Sequence, residues 1–198
     1  MKLVLKFGGT SLASPKDIMG VAKTVVSFSK DNEIVVVCSA VDGVTDDLIL
    51  ISGMIEQRKK DAADKVLNEL IKKHRKFADQ TIKNPAIKKQ LLEKLNTDIS
   101  ELQELVRGLA LLKEVSARSL DYLISFGERL SDDLVSFALQ DTKNKSTALN
   151  GKEVGIVTDS NFGESRPLMD TTRIRISKTL GSLLSKKIIP VVGGFAGA

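Results

Sequence analysis

Two short apolar stretches with a capped helix between them restrict this chain more than any other feature. Leu3-Val4-Leu5 runs on into Lys6-Phe7, and Ile34 to Cys38 is an unbroken apolar run rich in β-branched residues. Both read as buried strands, the second with the pattern of a parallel strand covered on both faces. Between them Ser14 stands where an N-cap belongs and Pro15 suits the first helical position. Asp17 falls where a capping-box acid sits. Ile18, Val21, Ala22 and Val25 then mark one helix face. Strand, helix and strand within the first forty residues make a βαβ unit, which is parallel and normally right-handed.

The rest of the chain extends this pattern. Thr45 is placed to cap a helix whose face is Leu48, Ile51 and Ile55. A long helical region follows, from Asp46 to Gln140, broken at Asn84-Pro85. Leu67, Leu70, Ile71 and Phe77 fit a helical period before the break; Leu92, Leu95, Ile99 and Leu102 fit it afterwards. Leu120 to Leu139 is a further amphipathic stretch. Ala148-Leu149-Asn150-Gly151 and Val154-Gly155-Ile156-Val157 read as short strands. Ile176, Leu180, Leu183 and Leu184 mark a last helix, and Ile188 to Val192 a last strand. Alternating α and β elements imply a layered α/β fold with a largely parallel sheet, and the length suits one domain.

Composition excludes several classes. A chain that is 42% hydrophobic is not disordered, yet no apolar run reaches the ~18 residues of a membrane span. The amino terminus enters a strand directly, without a signal-peptide pattern. One cysteine, Cys38, leaves no internal disulfide, fits a cytoplasmic protein, and reads as a buried small hydrophobe rather than a reactive thiol. The net charge of +5 raises nucleic-acid binding, but tryptophan is absent, aromatics are 4%, and the lysines alternate with acids along helices. Attraction of anionic nucleotides is use enough for the excess. The single histidine, His74, lies beside an apolar helical stripe and reads as structural. No zinc-ligand spacing is present, and no metal ligands are assigned.

Three places carry possible chemistry. Lys6-Phe7-Gly8-Gly9-Thr10-Ser11 brings a lysine and adjacent glycines to a strand end with a helix following. Free amides at such a turn form an anion pocket suited to phosphates. Neither G-x-x-x-x-G-K-[ST] nor G-x-G-x-x-G occurs, and a plain tight connection accounts for the turn equally well. Ser39 and Thr45 offer hydroxyls at a second strand end, where a turn hydroxyl and a helix cap are the plainer readings. Gly127 interrupts a helical pattern just before Glu128. A glycine there costs about 1 kcal/mol relative to alanine, which points to close approach by another group; a kinked helix with Glu128 paired to Arg129 or a lysine is the alternative. Asp159, Asn161 and Phe162-Gly163 form a polar loop that either shapes a pocket or turns the chain. Arg166, Arg173 and Arg175 fit helix-surface positions.

Taken together, the motifs resemble those of aspartokinases, within the amino-acid kinase superfamily. The matching strings are Lys6 to Ser11, Val35 to Ala40 leading to Gly43-Val44-Thr45-Asp46, Ser125-Phe126-Gly127-Glu128-Arg129-Leu130-Ser131, Gly155 to Gly163, and Ile189 to Phe195. They occur in order and cover essentially all 198 residues. The resemblance implies a three-layer sandwich around a largely parallel sheet, with a long helical region in mid-chain. It implies transfer of the γ-phosphoryl of ATP to the side-chain carboxylate of L-aspartate, giving 4-phospho-L-aspartate at the entry to lysine, threonine and methionine biosynthesis. By the same resemblance Lys6 acts on transition-state charge, and Lys6, Gly8, Gly9, Thr10, Ser11 and Ser39 hold the phosphates of ATP. Thr45 and Glu128 hold aspartate, and Mg²⁺ bridges phosphate oxygens through water and nucleotide. Family members continue past Gly194-Phe195-Ala196-Gly197 into a Gly-Arg-Gly-Gly-Ser-Asp segment, which is absent here. Residues 1–198 are therefore expected to be the amino-terminal part of a kinase domain, C-terminally incomplete, without a regulatory domain, and inactive alone. Sheet edges left open favour self-association into a homo-oligomer. A sibling kinase for another carboxylate, and a non-catalytic fragment with an assembly role, are the alternatives.

Overall fold

A computed structural model describes residues 1–194. Four parallel strands form its sheet: β1 (Lys2–Phe7), β2 (Glu33–Cys38), β3 (Ser146–Leu149) and β4 (Ile189–Gly193), in the spatial order β1-β2-β4-β3. Val4 pairs with Val35, Phe7 with Cys38, Cys38 with Gly193 and Leu149 with Val192, so all four strands end along one edge. The helices are α1 (Pro15–Ser29), α2 (Val44–Glu56), α3 (Lys60–Thr81), α4 (Pro85–Leu112), α5 (Ala117–Asp141), the single turn α6 (Gly151–Val154) and α7 (Met169–Ser185).

Alternation along the strands divides the apolar residues between two faces. Leu3, Leu5, Ile34, Val36, Cys38, Ile189 and Val191 belong to the main core with residues of α1 to α5. Val35 and Val192 point the other way and meet Val154, Leu180 and Leu184. Helix, sheet and helix are the three layers that the motif pattern implies. No helix among the described residues is long and apolar enough to cross a membrane.

Local signals behave as their chemistry dictates at several ends. The Ser14 hydroxyl accepts from the Asp17 amide at 3.2 Å, and Asn84 caps α4 with Pro85 at its first position. Other expectations need correction. The α2 N-cap is Gly43, left-handed at φ 77°, with Thr45 already inside the first turn; a left-handed N-cap position favours glycine over a side-chain cap. The short strand lies two residues earlier than expected, at Ser146–Leu149. The reading of 154–157 as a strand also fails. Asn150 and Glu153 form a reciprocal capping box that starts α6, and Gly155 at φ 104° ends it. β1 is not a fully buried strand: it lies at the sheet edge, and Val4 is 68% exposed because α6 and α7 do not extend over it.

His74 is fully buried in α3. Its Nδ1–H donates to the Leu70 carbonyl at 2.9 Å, while Nε2 has no partner. Burial drives its pKa down from 6.5 to about 4 despite that hydrogen bond. The folded chain therefore resists a proton that the unfolded chain takes up below pH 6.5, and stability falls as pH drops from 6.5 toward 4. Between pH 7 and pH 4, His74→Leu is expected to gain about 3 kcal/mol on the parent chain in urea unfolding. A pH-independent difference would show that His74 is not held neutral.

Gly127 carries a second packing constraint. A Cβ built there lies 2.9 Å from the Ala40 Cβ and 3.5 Å from Val44 and Leu48, so α5 meets the loop after β2 without an intervening side chain. Gly127→Ala is expected to destabilise by about 1–2 kcal/mol, overpacking outweighing the gain in helix propensity. Gly108→Ala in α4, where nothing lies within 4 Å, should stabilise by up to about 1 kcal/mol. Equal effects in thermal melts would remove the steric account.

Candidate active site

The carboxyl edge of the sheet gathers three chain segments. The first is the turn after β1. There Ser11 N–H donates to the Gly8 carbonyl at 2.9 Å, opening the 3₁₀ turn Gly9–Leu12. Gly9 faces the second segment, the loop after β2: a Cβ on Gly9 would lie 3.3 Å from the Ala40 carbonyl oxygen and 3.6 Å from the Asp42 Cα. The absence of a side chain at Gly9 lets the two turns touch. The Ser39 amide ties them further by donating to the Phe7 carbonyl at 3.0 Å. Lys73, from α3, braces the same loop by donating to the Asp42 carbonyl at 2.5 Å.

The third segment is the middle of α5. Gly127 brings it against Ala40, and the Ser131 hydroxyl lies 2.7 Å from the Ser39 carbonyl and 2.9 Å from that of Glu128. Glu128 reaches the end of β4. A Cβ on Gly193 would stand 2.9 Å from Glu128 Oε2 and 2.9 Å from Asp132 Oδ2. Arg129 turns to α4, bonding Asp98 at 2.6 Å and Glu101 at 2.7 Å, with its guanidinium 4.3 Å from the Phe126 ring centroid. Burial opposes its charge, but the two carboxylates hold its pKa above the ordinary value. This brace fixes the rotation of α5, and hence the direction of Glu128.

Lys6, Gly8, Gly9, Thr10, Ser11, Ser39, Thr45 and Glu128 thus belong to strand ends or helix turns along one edge of the sheet. They do not share one face. Lys6 leaves β1 on the same side as exposed Val4, whereas Glu128 lies on the α5 side. The Lys6 ammonium and the hydroxyls of Thr10, Ser11, Ser39 and Thr45 have no hydrogen-bond or ion-pair partner among the described residues. Two surface hollows, of about 480 and 560 Å³, are lined by other residues. The groups named above form a shelf along the strand ends. The Phe195-Ala196-Gly197 step of the last motif lies outside the described residues.

Cys38 is buried beneath this shelf. Burial, followed by the Asp132 and Glu128 carboxylates, pushes its pKa well above the ordinary thiol value, as an inert core thiol requires. The polar loop after residue 157 turns the chain: Asp159 Oδ1 accepts from the amides of Asn161 and Arg166, and Thr158 bridges Pro167. Sequence reasoning missed Asp132. It is 2% exposed, with the Gly193 backbone beside its carboxylate. Burial, then Glu128 and Asp133, raises its pKa well above the usual carboxylate range, with weak opposition from the Gly193 backbone. The available signal was spacing: an acid four residues after Glu128 falls on the same helix face.

The family model for the amino acid kinase family matches residues 1–198. "Aspartokinase 3, chloroplastic" of Arabidopsis thaliana is 32% identical, covering 98% of this chain and 34% of its own length. The aspartokinase of Helicobacter pylori is 28% identical over all of this chain and 34% of its own. Among solved structures, E. coli aspartokinase III in complex with lysine and aspartate superposes with a TM-score of 0.84 at 22% identity, covering 98% of this chain and 41% of that one. The same enzyme with aspartate and ADP gives 0.78 at 23% identity. These superpositions establish the shared fold. The chain spans about a third of the length of the curated relatives it matches. With the family model matching it from end to end, the chain belongs to the amino acid kinase family.

Proposed function

We propose that these residues form the amino-terminal part of the kinase domain of an aspartate kinase. The reaction transfers the γ-phosphoryl of ATP to the side-chain carboxylate of L-aspartate, giving 4-phospho-L-aspartate. The observation that carries the reading is the division of the shelf. Lys6 approaches the strand ends from the open face of β1 and Glu128 from the α5 face, with the Gly8–Gly9 turn between them. A phosphate donor laid over the first and an amino acid over the second meet across the strand ends.

A carboxylate oxygen of aspartate attacks the γ-phosphorus, the bond to the β,γ-bridging oxygen breaks, and ADP leaves. The nucleophile is ionised at pH 7, so no general base is required. Positioning and charge stabilisation supply the rate. Lys6 and the amides of Gly8 and Gly9 face the charge that develops on the transferred group, with Thr10, Ser11 and Ser39 at the phosphates. Thr45 and Glu128 hold aspartate, the carboxylate taking its ammonium. Among the described residues no group of three or more His, Cys, Asp or Glu side chains is set to hold a metal ion. Mg²⁺ would enter with the nucleotide, as the complex of its phosphates. The same reading includes a cytoplasmic, homo-oligomeric enzyme at the entry to lysine biosynthesis. An E. coli aspartokinase III structure of the same fold is named as a complex with aspartate and ADP, the acceptor and the nucleotide product of the proposed reaction.

In the complete enzyme, Lys6→Ala is expected to lower kcat about a hundredfold, the effect of ~3 kcal/mol of lost transition-state stabilisation, with little change in the KM for aspartate. Glu128→Gln is expected to raise that KM instead. A coupled ADP-release assay with aspartate and Mg²⁺ reads both; an unchanged kcat for Lys6→Ala removes Lys6 from the chemistry. The 198-residue chain alone is expected to turn over well below about 1 s⁻¹, and turnover at or above that rate would overturn the partial-domain reading.

A further inference from the structure

We propose that Lys73 is a positioning residue of the amino-acid site: it sets which way the peptide between Asp42 and Gly43 faces, and so what the loop after β2 presents between Ser39 and Thr45. The inference rests on the aspartate kinase reading, which places aspartate at Thr45. Residues 41–44 form a reverse turn, closed by the Val44 N–H donating to the Val41 carbonyl at 3.0 Å. Gly43, the third residue of the turn, has φ 77° and ψ −11°. Asp42 is not among the residues with positive φ, which makes this a type II turn. The type I alternative joins the same flanking residues with the central peptide turned over. Glycine adopts either conformation, so residue 43 does not itself choose between them.

Lys73 makes the choice. Its ammonium donates to the Asp42 carbonyl at 2.5 Å, across 31 residues of sequence. The base of the anchor is firm, because Leu70 and His74 on the same helix are buried in the core and α3 packs along α2. Lys73 makes no ion pair among the described residues, so no carboxylate competes with this carbonyl. With the carbonyl drawn toward α3, the planar trans peptide turns the Gly43 N–H the opposite way. That N–H lies in an exposed turn and has no acceptor among the described residues. In the flipped turn a carbonyl would take its place, and the N–H would face the Lys73 ammonium. An N–H attracts the carboxylates of aspartate, whereas a carbonyl oxygen repels them. Gly43 is also the N-cap of α2. Its carbonyl accepts from the Asp47 amide at 3.0 Å, and Thr45 stands in the turn so begun. The peptide that Lys73 holds is therefore the last one before the helix that carries Thr45.

The test has two arms. In the 198-residue chain, NMR reads the peptide directly. A type II turn has ψ of about +120° at its second residue, which brings the Asp42 Hα close to the Gly43 N–H; the type I value of about −30° does not. A strong NOE between these protons is expected in the parent chain and in Lys73→Arg, and a weakened one in Lys73→Met. In the complete enzyme, the ADP-release assay is expected to show the KM for aspartate raised about tenfold by Lys73→Met, as when the competent orientation falls to about a tenth of the population. The kcat should hold within about twofold, because the loss is one of binding, and Lys73→Arg should restore the KM. A merely structural role would lower the amount of active enzyme, and with it kcat, and leave KM alone. Gly43→Ala provides the second variant. A Cβ at 43 meets only the Lys73 Nζ, at 3.9 Å, so its cost is the left-handed φ and not crowding. It should raise the KM as Lys73→Met does, and the double variant should be little worse than either, since both act on one peptide. An NOE unchanged in Lys73→Met would overturn the proposal. So would a weakened NOE with an unchanged KM, which would leave the kinase reading standing. Failure of the parent enzyme to release ADP in response to aspartate would overturn the kinase reading and this role with it.

Discussion

The contact between Gly127 and Ala40 is the constraint on which the candidate site depends. α5 crosses the sheet close enough for a Cβ at 127 to stand 2.9 Å from that of Ala40. That spacing sets the height of the helix above the loop after β2. The same loop is held from below by Gly9, whose missing side chain admits the Ala40 carbonyl, and from the side by Lys73. Rotation of α5 is fixed separately, by Arg129 between Asp98 and Glu101. A buried ion pair of this kind is weak support for stability, because desolvation offsets much of its attraction. Its clearer use is directional: it commits Arg129 to α4 and turns Glu128 and Asp132 toward β4.

The polar groups of the shelf are ranged along strand ends, some on the α5 side and some on the open side of β1. Parallel strands make this arrangement available, since every strand arrives with the same polarity and every turn after a strand opens at the same edge. The chemistry proposed for it needs two ligands side by side, one rich in phosphate and one bearing an ammonium. Their separation follows from which way successive residues point from the sheet.

Much of this was legible in the sequence because the signals were local. The βαβ opening, the Ser14 cap, the break at Asn84-Pro85 and the helix-interrupting Gly127 are each decided by residues within a turn or two. Failures came where a neighbouring residue competed for the same position, or where distant partners decide. Thr45 looked like a cap because its side chain can serve as one, but Gly43 in a left-handed conformation had taken the position. Residues 154–157 look like a strand by composition, yet the Asn150–Glu153 box starts a helical turn there and Gly155 stops it. Val4 looked buried because its neighbours in sequence are apolar. Whether α7 reaches over β1 is a property of the sheet order, which no local pattern encodes. Asp132 was overlooked for the same reason: its neighbour at the end of β4, Gly193, lies 61 residues further on.

The strand order also bears on how such a sheet is assembled. β4 is the last of the strands in sequence but lies between β2 and β3. Until it forms, β1 and β2 are a two-stranded ribbon with an open inner edge, and β3 has no strand to pair with. The helices from α1 to α5 can collapse on the early ribbon through contacts close in sequence, whereas joining β3 to the sheet waits for a distant segment to thread into a gap already bounded on both sides. Long-range closure of this kind slows folding and leaves apolar edges exposed while a chain is being synthesised. Helix α5, which packs against β2, β3 and β4, spans the place that this central strand fills.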